Sequence, residues 1–134
     1  MNTGHELSAA RPVVIVVDDD PAVCNSLRFS LEVEGFVVRD FSGGAELLKD
    51  AEHSCADCFV IDDRMPGMTG LEVVARLRER NISAPVILIV SSPTPALAAR
   101  AARAGVSIVE KPLLGNVLLD RIHRILVPAI ATDE

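Results

Sequence analysis

Five short apolar runs, each followed by a stretch with helical spacing, constrain this chain more than any other feature. They are VVIVV (13–17), FVV (36–38), CFVI (58–61), PVILIV (85–90) and VSIV (106–109). The first and fourth are unbroken rather than alternating, as parallel strands covered on both faces are. Between the runs, apolar residues recur every three or four positions: Val23, Leu27 and Leu31, then Leu71, Val74 and Leu77. Leu114, Leu118, Ile122 and Ile125 form a third stripe, with Arg121 and Arg124 beside it. Gly35, Asn81, Ser83 and Gly105 punctuate the helices, and Ser42 is expected to cap GGAELLKD. Pro93 and Pro95 fit only at or before the first turn of ALAARAARA. Strand and helix thus alternate five times, which implies an α/β fold with one parallel sheet and helices on both faces.

The chain has 134 residues, one ordinary domain. The expected division is a tail at 1–11, a domain at 12–127 and a second tail at 128–134. Aromatics are 3% of the sequence and neither Trp nor Tyr occurs, so the core must be aliphatic. A net charge of -6 argues against general affinity for nucleic acid or anionic lipid, so neither direct DNA binding nor membrane binding is expected. No segment approaches the ~20 apolar residues of a membrane helix, and MNTGHELSAARP has no secretory apolar stretch. A cytoplasmic location is expected. Cys24, Cys55 and Cys58 do not form a disulfide framework. CADC (55–58) runs into a strand rather than a helix start, which argues against an active redox pair. His53 and Asp57 stand nearby, but no second ligand pair follows to make a zinc site. The chain has no P-loop and no G-x-G-x-x-G motif to support nucleotide binding.

In open α/β sheets, ligands bind beyond the carboxyl ends of the strands. The first run ends in Asp18, Asp19 and Asp20, and the third in Asp62 and Asp63. The fourth ends in Val90, Ser91 and Ser92, and the fifth in Glu110, Lys111 and Pro112. Stacked carboxylates repel unless something positive joins them. A set rich in Asp and poor in His and Cys suits a hard cation such as Mg²⁺. Lys111 is a point charge suited to phosphate. A carboxylate beside such an ion and a lysine is a candidate nucleophile for phosphoryl transfer.

The motifs VVDDDP, IDDRMPGMTG followed by LEVVARLR, PVILIV, and AG followed by VEKP resemble, in order and spacing, the receiver domain of two-component response regulators. The likeness spans about Arg11 to Val127 and is greatest to the nitrogen-fixation regulator type. It implies a flavodoxin-like, doubly wound (βα)5 sandwich with strand order 2-1-3-4-5. It implies that Asp62, four residues before Pro66, accepts the phosphoryl group, although Asp63 is adjacent. Asp19 would ligate Mg²⁺ directly and Asp18 through water, with Asp62 and the Arg64 backbone carbonyl as further ligands. Lys111 would pair with Asp62 and then with the phosphoryl group, and its bond to Pro112 is of the Lys-Pro kind that is typically cis in this family. Asp20 falls on a variable position. The implied donor is a histidine kinase or a histidine phosphotransfer protein, and the protein would be no enzyme beyond its own phosphorylation and dephosphorylation.

Two positions depart from the family pattern. Val90 stands where a Thr or Ser hydroxyl is usual, and Ile108 where an aromatic residue is usual. Val cannot hydrogen-bond a phosphoryl group, and Ser91 next to it points to the other strand face unless the strand end bends. The expected protein is a stand-alone receiver that signals through a protein partner or by passing phosphate on. A pseudo-receiver that ignores phosphate is the alternative. A phosphatase of the haloacid-dehalogenase type fits less well, because Ala22 stands where that pattern wants Thr. Leu119 and Leu126 either offer a homodimer face or widen the core contact.

Overall fold

The computed structural model describes residues 11–50, 55–113 and 115–126. Both expected tails apart from Arg11, together with His53, Leu114 and Val127, lie outside the described residues. The strands are β1 (Val13–Val17), β2 (Val37–Phe41), β3 (Cys58–Asp62), β4 (Val86–Val90) and β5 (Ser107–Glu110). The helices are α1 (Pro21–Val33), α2 (Gly44–Lys49), α3 (Gly70–Glu79), α4 (Pro95–Arg103) and α5 (Val117–Leu126). All strand pairings are parallel, in the order β2-β1-β3-β4-β5.

Successive strand residues point to opposite faces, so the unbroken runs feed two cores. Ile15, Val17, Phe59, Ile61, Leu88 and Val90 pack with Leu47 of α2, Leu71, Val74 and Leu77 of α3, and Ala101 of α4. Val14, Val16, Val60, Ile87 and Ile89 pack with Cys24 and Leu31 of α1 and Leu118 and Ile122 of α5. Each fully buried Val, Leu or Ile contributes about 1.5–3 kcal/mol. Leu119 and Leu126 pack against the second core, so they widen that contact. Among the described residues, no helix is long and apolar enough to cross a membrane.

Local chemistry sets the helix starts. Asp20 caps α1 by accepting from the Ala22 N–H at 2.9 Å, with Pro21 in the first turn. Thr69 and Glu72 form a capping box on α3. Thr94 caps α4 ahead of Pro95. Ser42 does not cap α2: the cap residue is Gly43, which makes no side-chain cap hydrogen bond. The second strand also differs from FVV. It starts at Val37 and runs on through Arg39 and Asp40 to Phe41. It is an edge strand paired only with β1, so half-exposed polar residues are tolerated there. Arg28 of α1 places Nε 3.1 Å from Asp40 and Nη1 3.0 Å from the Val38 carbonyl, and Arg39 donates to Asp50 at 2.8 Å. Phe36 is buried in the turn ahead of the strand.

Candidate functional site

β1 and β3 are adjacent, so Asp18, one residue beyond β1, meets Asp62, the last residue of β3. A carboxylate oxygen from each of Asp18, Asp19 and Asp62 can be chosen so that all lie within 4.8 Å of one another. Asp18 and Asp62 are the buried charged residues of the described chain, at 6% and 4% exposure, while Asp19 is exposed. From the end of β5, Lys111 places Nζ 2.8 Å from Asp62 Oδ1. The Lys111–Pro112 peptide bond is cis, as the resemblance implies. Lys111 N–H donates to the Val90 carbonyl at 2.8 Å, which ties the lysine loop to the end of β4.

The electrostatics follow from three carboxylates against one ammonium. Burial pushes the Asp18 carboxyl above its ordinary value, against the hydrogen bond from the Asp20 N–H, and the Asp62 charge adds to the rise. Asp63, part-buried one residue beyond β3, is also pushed up by burial and then by Asp62. The hydrogen bond to Asp62 pushes Lys111 up, holding it charged. An all-oxygen donor set with an excess of negative charge fits a hard divalent cation. Arg64, whose carbonyl is the fourth expected ligand, is exposed on the loop after Asp63.

Sequence reasoning missed three contributors. Asp20 is a helix cap, and its N–H also holds Asp18 Oδ1 at 2.9 Å. Cys24 Sγ donates to the Asp18 carbonyl at 3.3 Å. Gly70 lets the start of α3 approach the site: a Cβ there would lie 2.8 Å from the Asp62 carbonyl oxygen and 3.0 Å from Asp63 Cα. The D-D-D-P spacing could have signalled the cap, but contacts made across elements leave no local pattern. The CADC segment divides: Cys55 is exposed, whereas Cys58 is buried and its thiol is pushed to about 12. Asp57 accepts from the Val13 N–H at 2.8 Å and so anchors the start of β1.

The response regulator receiver domain model matches residues 14–123. This chain belongs to that receiver family. The receiver is 34% identical over 118 residues to the C4-dicarboxylate transport transcriptional regulatory protein DctD of Pseudomonas aeruginosa, covering 87% of this chain and 26% of DctD. It is 32% identical over 121 residues to the transcriptional regulatory protein FixJ of Rhizobium meliloti, covering 90% of this chain and 59% of FixJ. Chemotaxis protein CheY4 of Vibrio cholerae superposes with a TM-score of 0.80 at 26% identity, covering 87% of this chain and all of that one. The receiver thus spans a quarter to three fifths of those two regulators. The expectation of no direct DNA binding draws no support from relatives named as transcriptional regulators. Phosphorylation and Mg²⁺ binding are general features of receivers, which are signalling modules rather than classical enzymes.

In this receiver the departures sit together. Val90 is 4% exposed in the core facing α2, α3 and α4, and Ile108 packs against the same core. Ser91 lies beyond the end of β4 and is exposed. A groove of about 840 Å³ opens beside Lys111, lined by Leu27, Leu113, Leu118 and Leu119 and flanked by exposed Phe29 and Val33.

Proposed function

We propose that Asp62 accepts a phosphoryl group from a phosphohistidine on a histidine kinase or histidine phosphotransfer protein. The observation that carries this reading is the nearly buried Asp62 carboxylate, 2.8 Å from Lys111 and clustered with Asp18 and Asp19. A carboxylate oxygen of Asp62 attacks phosphorus. A P–O bond forms, the P–N bond breaks, and its electron pair leaves with the imidazole. Lys111, freed from Asp62 Oδ1, then neutralises a phosphoryl oxygen. Asp18, Asp19, Asp62 and the Arg64 carbonyl would hold Mg²⁺, which supplies charge neutralisation on the phosphoryl oxygens. The donor protein is proposed to cover the apolar groove that Lys111 lines, next to the lysine that pairs with the acceptor.

Output is proposed to run through a protein partner or onward phosphate transfer, without the usual hydroxyl–aromatic relay. Val90 offers no hydroxyl and Ile108 no ring. The loop from Met65 to Thr69 and helix α4 are the proposed movers, because a switch requires only that phosphate favour one of two conformations. Val90 and Ile108 equally favour the second reading, a phosphate-independent interaction module. Intact-protein mass spectrometry after incubation with acetyl phosphate and Mg²⁺ separates the two. Wild type gains one phosphate and Asp62→Asn gains none. With a histidine-kinase donor, Phe29→Ser slows labelling but leaves acetyl phosphate labelling unchanged. No gain in wild type from either source would establish the second reading, and a gain that survives Asp62→Asn would move the acceptor to Asp63.

A further inference from the structure

We infer that Cys24 is a positioning residue for the metal-binding carboxylates, a role that rests on the function proposed above. Asp18 lies one residue beyond β1. It is a buried residue, and one of its carboxylate oxygens lies within 4.8 Å of one from each of Asp19 and Asp62. Three hydrogen bonds hold this residue in place, one on its side chain and two on its backbone. The N–H of Asp18 donates to the Phe41 carbonyl at 3.1 Å. The N–H of Asp20 donates to Asp18 Oδ1 at 2.9 Å. The remaining handle is the Asp18 carbonyl, which accepts from Cys24 Sγ at 3.3 Å in a buried setting.

That carbonyl sets the plane of the Asp18–Asp19 peptide and therefore the directions in which both carboxylates leave the chain. Cys24 sits on a rigid support. It is the fourth residue of α1, its own N–H donates to the Asp20 carbonyl at 3.1 Å, and its side chain lies in the core shared with α5. Capping by Asp20 and the thiol contact together clamp both sides of the acidic pair to the first turn of one helix. Cys24 touches no ion and does no chemistry.

The test compares Cys24→Ser with Cys24→Ala, which remove similar volume and differ in the donor. Mg²⁺ affinity is measured by isothermal titration calorimetry. Amide hydrogen exchange at Asp19 and Asp20 is followed by NMR in Mg²⁺-free protein. Cys24→Ala weakens Mg²⁺ binding about three- to fivefold and speeds exchange at both amides, the loss expected for one modest hydrogen bond. Cys24→Ser stays within about twofold of wild type on both readouts, although it loses the same sulfur packing. Equal behaviour of the two variants would overturn the inference and leave Cys24 as core filling. If wild type takes up no Mg²⁺, the underlying reading fails and this inference with it. A donor-dependent exchange difference would then still register the contact as purely structural.

Discussion

Removing the Lys111 ammonium should destabilise the protein, and Mg²⁺ should reverse much of the loss. In Lys111→Met the apolar stem is kept and the charge is lost. Asp62, 5% exposed at its side chain, then faces Asp18 and Asp19 without its partner at 2.8 Å. Breaking a buried pair on one side costs about 3–5 kcal/mol, whereas an exposed pair contributes about 0–1 kcal/mol. Lys111 is 35% exposed, so solvent screens part of the interaction. A loss of about 2 kcal/mol follows, or about 8 °C in Tm for a chain of this size. The assay is urea denaturation followed by far-ultraviolet circular dichroism, once in EDTA and once in saturating Mg²⁺. In Mg²⁺ the deficit should shrink to less than half, because the ion offsets the same three charges. A deficit below about 0.5 kcal/mol in EDTA, or an equal deficit in both buffers, would refute the account of Lys111 as counter-charge to this cluster.

The same groups set a pH dependence of one sign in two separate ranges, because both are raised and the native state holds the extra proton in each. Lys111 titrates above its ordinary 10.5, so its stabilising contact is complete below that pH and is lost as pH rises through the folded value. Asp18 titrates above 3.8 because it is buried, so the native state takes up its proton first. Without Mg²⁺, the stability gap between wild type and Asp18→Asn should therefore move in favour of wild type as pH falls toward 3.8, as read from urea midpoints. Gly70→Ala should lose about 1–2 kcal/mol of stability, since overpacking costs more than helix propensity returns. It should also slow acetyl phosphate labelling, because two of the three crowded atoms belong to the Asp62–Asp63 backbone. Val90→Thr should bind trifluoroberyllate, a phosphoryl mimic, about tenfold more tightly through one charge-assisted hydrogen bond. Unchanged calorimetric affinity would count against Val90 as the missing hydroxyl.

The legible parts of this protein are those written in local pattern. Unbroken runs such as VVIVV and PVILIV gave away buried strands, and the positions just beyond them gave Asp18, Asp19, Asp62 and Lys111. The two edge strands were harder. β2 includes Arg39 and Asp40 because only one neighbour covers its backbone, so hydrophobicity marked its start too early and missed its end. Ser42 looked like a cap on composition alone, and the helix instead begins one residue later on glycine. The supports of the site were hidden for a different reason. Gly70 and Cys24 act through contacts with β3 and with the Asp18 carbonyl, and no spacing within one segment encodes such a contact.

The sheet is a partition between two cores, and the acidic pocket sits where that partition ends. Asp18 and Lys111 arrive on loops leading to α1 and α5, on one side. Asp62 ends β3, and the chain beyond it leads to α3, on the other. Whatever occupies the pocket therefore stitches two independently packed layers together at their rim. Substitutions deep in either layer, far from any carboxylate, shift the gap this stitch must span. The affinity of the pocket for a cation is therefore expected to respond to changes in helix packing even when every pocket residue stays the same.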